Sequence, residues 1–545
     1  MRRYFNTEGW CAPERHYMVS LKDRLEKIKR LYVDKGKYFT INRGRQYGKT
    51  TTLRALAKYL KEDYVVFSMD FQLMSTACFA DEQTFVIKFI QYIKELYFEQ
   101  TEVRENIAPD TLNRLLSLKE GGDELQGEHC YSREQRLSMD MLFRALSGIC
   151  RMVKKPIVMI IDEVDSASNS QVFLDFLAML RGYYLSREEK PIFHSVIFAG
   201  VYDVKNLKRK YRPEEAHRYN SPWNIAAVFD MGMSFSACQI QMMLREYEAD
   251  NYTGMDVKKV ADEIYQYTSG YPYLVSAICK SMDERLPEGD KYKRIAEVWT
   301  KEGVSEAVKL LQKEKIPLFD SMVRQLDMYK DLRGLIEEMI YQGKKIPFSP
   351  DTEAINIGVM FGFLKEKDGQ VIMANRIFEM HLYNYFLSEE MTKSVTYKSA
   401  LQEKNQFVAG KDLDMDKVLQ KFGEHYSEIY SDNDVKFLEE NGRRLFLLYL
   451  KPIINGSGNY YVEARTRDMN RTDVVIDYCG KQYIVEMKIH RGEAYERKGI
   501  EQLAGYLEEY HLSKGYMLVF NFNKHKKAEM KTVKCNGKEI MEVVV

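Results

Sequence analysis

The stretch INRGRQYGKTTTLRAL, starting at Ile41, constrains the fold of this chain more than any other. Gly48-Lys49-Thr50 follows a short β-rich run and opens a helical one, supplying the second half of the phosphate-binding pattern G-x-x-x-x-G-K-[ST]. A strand that passes straight into a helix through such a loop predicts a parallel sheet with helices on both faces. The front of the loop departs from the pattern: Arg43 stands where the first glycine belongs, and Gly44 comes one place late. Backbone N–H groups from about Arg45 to Thr50 would face phosphates at the positive end of the helix. Lys49 would reach the β and γ phosphates and the Thr50 hydroxyl would ligate Mg²⁺, with Gly44, Tyr47, Gly48 and Thr51 completing the nucleotide-binding set. Arg43 and Arg45 add nearby positive charge.

A second motif carries the complementary chemistry. PIVMIIDEVD, from Pro156, is an apolar strand-like run ending in Asp162-Glu163. Asp162 is placed to hold Mg²⁺ and Glu163 to act as general base toward an attacking water. Further β-like runs begin at Tyr38, Tyr64, His194 and Ala226, with amphipathic stretches between them, so the sheet is expected to extend from about Tyr38 to Phe235. A capping box at Ser132 and Gln135 is expected to open a helix bearing Leu142, Leu146, Ile149 and Val153 on one face. Tyr202 or Asp203 would act as a sensor of the γ-phosphate, and the arginines of KNLKRKYRPEEAHR are candidate fingers or a solvated basic loop.

A chain of 545 residues exceeds one ordinary core, so several domains are expected. Residues 1–235 read as the nucleotide-binding domain. Residues 236–390 are mostly helical, ending in a helix–strand–turn–strand order around Asp368-Gly369 that fits a winged helix. Residues 391–431 read as a polar linker carrying one helix, and 432–545 as a small α/β unit. With 81 basic and 80 acidic residues the chain has no uniformly basic coat, although a local basic groove is permitted. Eight scattered cysteines without a C-x-x-C pair suit free thiols in a reducing cytosol. No apolar run approaches the ~18 residues that span a bilayer, and the opening residues lack a signal-peptide core. A cytoplasmic location away from membranes is expected.

In the last unit, RTDVVIDYCGKQYIVEMKI places two alternating β runs around a turn at Cys479-Gly480. Centring the turn there sets opposite each other residues whose numbers sum to 959, so Asp473 faces Glu486. Lys488 shares that face. Two carboxylates and an ammonium on one sheet surface suit a hard cation that acidifies water beside a phosphodiester. The following helix carries Gln502 and Tyr506 one turn apart.

Together, RGRQYGKTTTL, IIDEVD, the G-x-P of TSGYPYLV (Gly270 and Pro272), TDVVI, EMKI and EQLAGYL resemble bacterial AAA/STAND-type ATPase-like proteins with a C-terminal PD-(D/E)XK nuclease domain. The resemblance implies an α/β fold: a P-loop NTPase parallel sheet with a helical and winged-helix lid, followed by a restriction-endonuclease-like α/β domain. It implies ATP and Mg²⁺ at Gly48, Lys49, Thr50, Asp162 and Glu163. It also implies metal ligation by Asp473 and Glu486, catalysis by Lys488, an accessory pair in Gln502 and Tyr506, and a helical glutamate supplied by Glu440 or Glu439, with Glu440 preferred. Asn470-Arg471-Thr472 stands where a Gly-Arg pair commonly precedes the aspartate. The implied partner is nucleic acid, DNA first, and a homo-oligomer is compatible. The first expectation is an ATP-dependent, Mg²⁺-dependent nuclease. The alternative is an NTP-driven switch whose nuclease-fold domain only binds nucleic acid or a partner.

Overall fold

The computed structural model describes residues 2–111, 113, 137–167, 170–201, 223–289, 291–342, 344–391, 395–410, 412–429, 439–454, 457–462, 474–490, 492–521 and 529–545. The chain divides into two compact units: Met1–Thr300 with Met360–Gly362, and Lys301–Val359 with Phe363–Val545. Among the described residues no helix is long and apolar enough to cross a membrane. The described cysteines Cys11, Cys78, Cys150, Cys238, Cys279, Cys479 and Cys535 are free thiols.

The first unit is built on four parallel strands, β1 (Tyr38–Asn42), β2 (Val65–Asp70), β3 (Ile157–Asp162) and β4 (Ser195–Gly200), in the order β1-β4-β3-β2. Successive residues of each strand enter opposite cores, as a pleated strand requires. Phe67, Met159, Ile161 and Phe198 pack under α2 (Glu82–Glu99), α3 (Met139–Met152) and α4 (Gln171–Leu185). Val66, Val158, Ile160 and Ile197 pack with Leu53 and Leu56 of α1 (Lys49–Leu60). Every position of β3 and β4 is buried, and their central residues are apolar, as this two-sided burial requires.

Two local expectations change. The run at Ala226 forms no fifth strand: Ala227 makes a single parallel bridge to Phe39, its N–H bonding the Tyr38 carbonyl at 2.8 Å. The Tyr32 hydroxyl donates to the Val228 carbonyl (3.2 Å) and accepts from the Asp230 N–H (3.1 Å), so a side chain takes the place of ladder partners. Ser132 and Gln135 lie outside the described residues, and the cap of α3 is Ser138, whose hydroxyl accepts from the Met141 N–H. Leu142, Leu146 and Ile149 are buried on its inner face as the spacing predicts. Helices α5 (Ala237–Asn251), α6 (Val257–Thr268) and α7 (Pro272–Lys280) complete the unit.

The second unit begins with α8 (Lys301–Lys313), α9 (Pro317–Met328) and α10 (Lys330–Gln342). Strand β5 (Ile346–Pro347), α11 (Glu353–Met360), β6 (Leu364–Lys367), β7 (Gln370–Met373) and α12 (Arg376–Met391) follow. Lys367 pairs with Gln370 across Asp368-Gly369, both at positive φ, which gives the hairpin read from the sequence. His381 of α12 stacks on Phe319 of α9, ring centroids 3.8 Å apart, and burial pushes its pKa down to about 4. The folded unit holds this imidazole neutral, whereas the unfolded chain takes up a proton below about pH 6.5. Stability is therefore lost as pH falls from about 6.5 to about 4. We predict that His381→Phe, which keeps the stacking, removes about 2 kcal/mol of the drop between about pH 7 and about pH 5 in urea-unfolding midpoints.

Residues 391–431 hold more structure than a one-helix linker: α13 (Val395–Glu403), the short pair β8 (Val408–Ala409) and β9 (Asp412–Leu413), and α14 (Met415–Ile429). Val418, Leu419, Phe422 and Tyr426 recur on one face of α14 and are buried; the lysine-rich remainder hides that stripe in a sequence reading. After α15 (Glu439–Ile454) comes a mixed sheet of β10 (Gly458–Val462), β11 (Val474–Tyr478), β12 (Lys481–Ile489), β13 (Lys514–Phe520), β14 (Glu529–Cys535) and β15 (Lys538–Val544). Helix α16 (Glu493–Glu509) connects β12 to its parallel neighbour β13. Strand order is β10-β11-β12-β13-β15-β14. The final hairpin was not anticipated, although Asn536-Gly537 is a strong turn signal and both residues adopt positive φ.

Candidate functional site

The first site forms at the carboxyl ends of β1 and β3. Gly48, in the left-handed region (φ 77°, ψ 23°), caps α1 and turns the chain from strand into helix. Lys49 is 6% exposed and its ammonium donates to the Arg43 and Gly44 carbonyls at 3.0 and 3.1 Å, inside its own loop. Burial pulls its pKa down, while Glu163, Asp165 and Asp162 pull it back up. The Thr50 hydroxyl donates to Asp162 Oδ2 at 2.7 Å, joining two motifs 112 residues apart. Burial pushes the Asp162 carboxyl upward, opposed by that hydroxyl and by the Glu163 N–H, which bonds Oδ1 at 2.9 Å. Glu163 holds φ at 52°, a conformation uncommon outside glycine and often retained at functional sites. Burial raises its pKa and Lys49 opposes the rise.

The structure also shows why the loop tolerates its unusual front. Arg43 does not turn toward the loop's interior. Its guanidinium donates to the Asn42 carbonyl (2.7 Å) and the Met231 carbonyl (2.8 Å), tying the end of β1 down. Glycine is required one place later because a Cβ on Gly44 would sit 2.3 Å from the Phe361 carbonyl. Tyr47 turns its hydroxyl to Ser234 (2.7 Å) and meets Tyr271 edge-on, centroids 4.5 Å apart. The Thr51 hydroxyl accepts from the Cys11 N–H at 3.1 Å, so its side chain serves the amino-terminal segment.

Gly270 and Pro272 converge on the same loop. The Tyr271 hydroxyl donates to the Arg45 carbonyl, and Pro272, the first residue of α7, lies 3.9 Å from the Cβ position of Gly48. Gly270 sits at φ 73°, and a Cβ there would fall 1.8 Å from the Phe235 carbonyl. We predict that Gly270→Ala destabilises the first unit by at least about 3 kcal/mol, read as a lowered melting temperature. Sequence reasoning missed Asp70, which faces Asp162 across the β2–β3 register, and Asp165, which accepts from the Val201 N–H at 2.5 Å. An acid closing the run YVVFSMD was the available signal for Asp70. Tyr202, Asp203 and the arginines of the following basic loop lie outside the described residues.

The second site lies on the mixed sheet. Val474 pairs with Val485, Val475 with Ile484 and Tyr478 with Lys481, the register inferred from the turn at Cys479-Gly480. Asp473 itself lies outside the described residues. Glu486 is 1% exposed and its carboxylate pairs with the Lys488 ammonium at 2.8 Å. Their face is covered by α16, where a Cβ on Gly499 would lie 3.6 Å from Lys488 and 3.4 Å from Met517 Sδ. Gln502 follows on that helix and its amide donates to the Tyr506 hydroxyl. Glu439 and Glu440 open α15, but their side chains are outside the described part. Glu542, fully buried, pairs with Lys531 at 2.7 Å and stands in one row with Met517 and Glu486 across the sheet. It was missed because its strand was missed.

Thr50 with Asp162 offers a hydroxyl and a carboxylate, hard oxygens 2.7 Å apart, which suits magnesium. Glu486 offers a buried carboxylate of the same chemical type.

Comparison with known proteins bears on the first of these sites. No curated protein matches the chain. Its structure is similar to a Walker-type ATPase of Pyrococcus abyssi, with 12% identity and a TM-score of 0.43, covering 70% of this chain and 99% of that one. It is also similar to the ORC2 protein of Aeropyrum pernix in ADPNP–ADP complexes, with 12% identity, a TM-score of 0.34, and 70% and 98% covered. The ORC1 protein of Aeropyrum pernix in complex with DNA has 12% identity and a TM-score of 0.29, with 67% and 93% covered. A family model described as an AAA-like domain matches residues 138–302, the span that holds Asp162, Glu163, Gly270 and Pro272. The chain therefore carries an AAA-like domain.

Proposed function

We propose that this protein binds and hydrolyses ATP with Mg²⁺ and couples that cycle to a Mg²⁺-dependent nuclease in residues 432–545, acting on nucleic acid, with DNA the favoured substrate. The convergence of Lys49, Thr50, Asp162 and Glu163 at the carboxyl end of the sheet carries the ATPase half of the reading. Lys49 holds the β and γ phosphates in place of its present carbonyl partners. Glu163 takes a proton from water as the water oxygen attacks the γ-phosphorus and the bond to the β–γ bridging oxygen breaks, releasing ADP and phosphate. Thr50 and Asp162 would hold Mg²⁺, which supplies charge neutralisation on the phosphates. Pro272, against Gly48, sets the amino end of α7 beside the loop.

The buried Glu486–Lys488 pair under a helix bearing Gln502 and Tyr506 supports the nuclease half. Glu486, with Asp473 as its partner in the sequence pattern, would hold the metal, and Lys488 orients the water that attacks phosphorus. The test is cleavage of supercoiled plasmid by the full chain with Mg²⁺, with and without ATP, across single-stranded and RNA substrates as well. Nicking or linearisation that ATP modulates only while Lys49 is present supports the coupled enzyme. Intact ATP hydrolysis without cleavage of any substrate replaces it with the nucleotide-driven switch.

A further inference from the structure

Residues 486 and 488 lie on one face of β12, and residue 490, one place past the strand's end, keeps the same alternation. Side-chain exposure rises along them, from 1% at Glu486 to 14% at Lys488 and 25% at His490. The ladder continues through His490, whose N–H bonds the Phe520 carbonyl at 2.8 Å. His490 therefore stands at the more exposed end of the row that begins at the buried Glu486. Helix α16 runs back over this face, and its inward positions 496 and 499 meet His490 and Lys488 respectively. The Glu496 carboxylate, 12% exposed, bonds the His490 Nδ1. Lys531 pairs with Glu542 at 2.7 Å, and the negative charge of Glu496 also favours its charged form. With Nδ1 engaged, Nε2 is the imidazole nitrogen left to meet a ligand.

Resting on the nuclease reading above, we propose that His490 is a further catalytic residue of that site, protonating the leaving oxygen, with Glu496 as its positioning residue. A side chain that merely gripped phosphate would be weakened by a carboxylate set against it, and arginine would grip better. A carboxylate behind an imidazole instead fixes which nitrogen faces the substrate, which matters for proton transfer. In the step, a water oxygen bonds to phosphorus and the bond from phosphorus to the leaving sugar oxygen breaks. That oxygen takes the proton on His490 Nε2. The proton shed by the water passes to solvent at the more exposed end of the row, and an equivalent proton restores the imidazole. The balance is one water and one phosphodiester giving a phosphomonoester and an alcohol.

The experiment uses the full-length chain, Mg²⁺ and an oligonucleotide that the wild type cleaves, made with either oxygen or sulfur at the leaving position. A sulfur leaving group departs without a proton donor. His490→Ala is expected to lower kcat about 10²- to 10³-fold on the oxygen substrate with little change in KM, and to recover most of that loss on the sulfur substrate. Glu496→Gln should lose about tenfold on oxygen and also recover on sulfur. An equal loss on both substrates, a rise in KM alone, or no loss overturns the proposal while leaving the nuclease reading in place; His490→Asn repeats the comparison if the alanine variant does not fold. A wild type that cleaves no substrate overturns the nuclease reading, and this proposal with it.

Discussion

Lys49→Met is expected to lower ATP hydrolysis by about 10²- to 10³-fold, the scale of losing one preorganised charge from a transferring phosphoryl group. The ammonium is nearly buried and bonds two carbonyls of its own loop, which holds its charge inside the turn that would surround the phosphates. Burial already disfavours its charged form. Replacing it with methionine removes that desolvation penalty, so the nucleotide-free variant should melt no lower than the wild type. Thermal melting thus separates lost chemistry from lost folding. Glu163→Gln supplies the complement. It preserves shape and the backbone turn at φ 52° but cannot accept a proton, so ATP binding by calorimetry should persist while turnover falls by a comparable factor. Retained turnover in both variants would remove the roles assigned to Lys49 and Glu163.

Glu486→Ala should abolish Mg²⁺-dependent cleavage, by at least about a hundredfold, while ATP hydrolysis continues. The carboxylate is 1% exposed and neutralises Lys488 at 2.8 Å. Its removal leaves a poorly solvated ammonium without that partner, which carries a folding cost of its own. Glu486→Gln keeps the volume and a hydrogen-bonding carbonyl, so cleavage lost equally in both variants with unchanged melting points to chemistry rather than packing. Cleavage that survives in the glutamine variant would move the metal-dependent step away from this strand.

Much of this was legible because its rules are local. Strands repeat every two residues, so a turn centred on Cys479-Gly480 dictated the pairing of Val474 with Val485, and the structure keeps that register. A glycine, a lysine and a threonine between an apolar run and an amphipathic one dictated a strand, a loop and a helix. The buried run of β3 followed from its continuous apolar character, and the inner face of α3 from the spacing of Leu142, Leu146 and Ile149. Where the sequence signal was mixed, the reading failed: at Ala226 a tyrosine hydroxyl took over strand pairing, and around Phe422 lysines masked a buried stripe.

The sequence by itself determined which elements form and which residue types they present, because dihedral preferences and hydrophobic periodicity act over a few residues. Only the tertiary structure decided which polar groups meet. Thr50 reaches Asp162, Tyr271 reaches Arg45, Arg43 is drawn to Met231, and His490 is held by Glu496. Those partnerships depend on strand order and on which helix covers which face. Burial of apolar surface over the whole unit selects both, and charged side chains then pair with whatever that packing brings within reach.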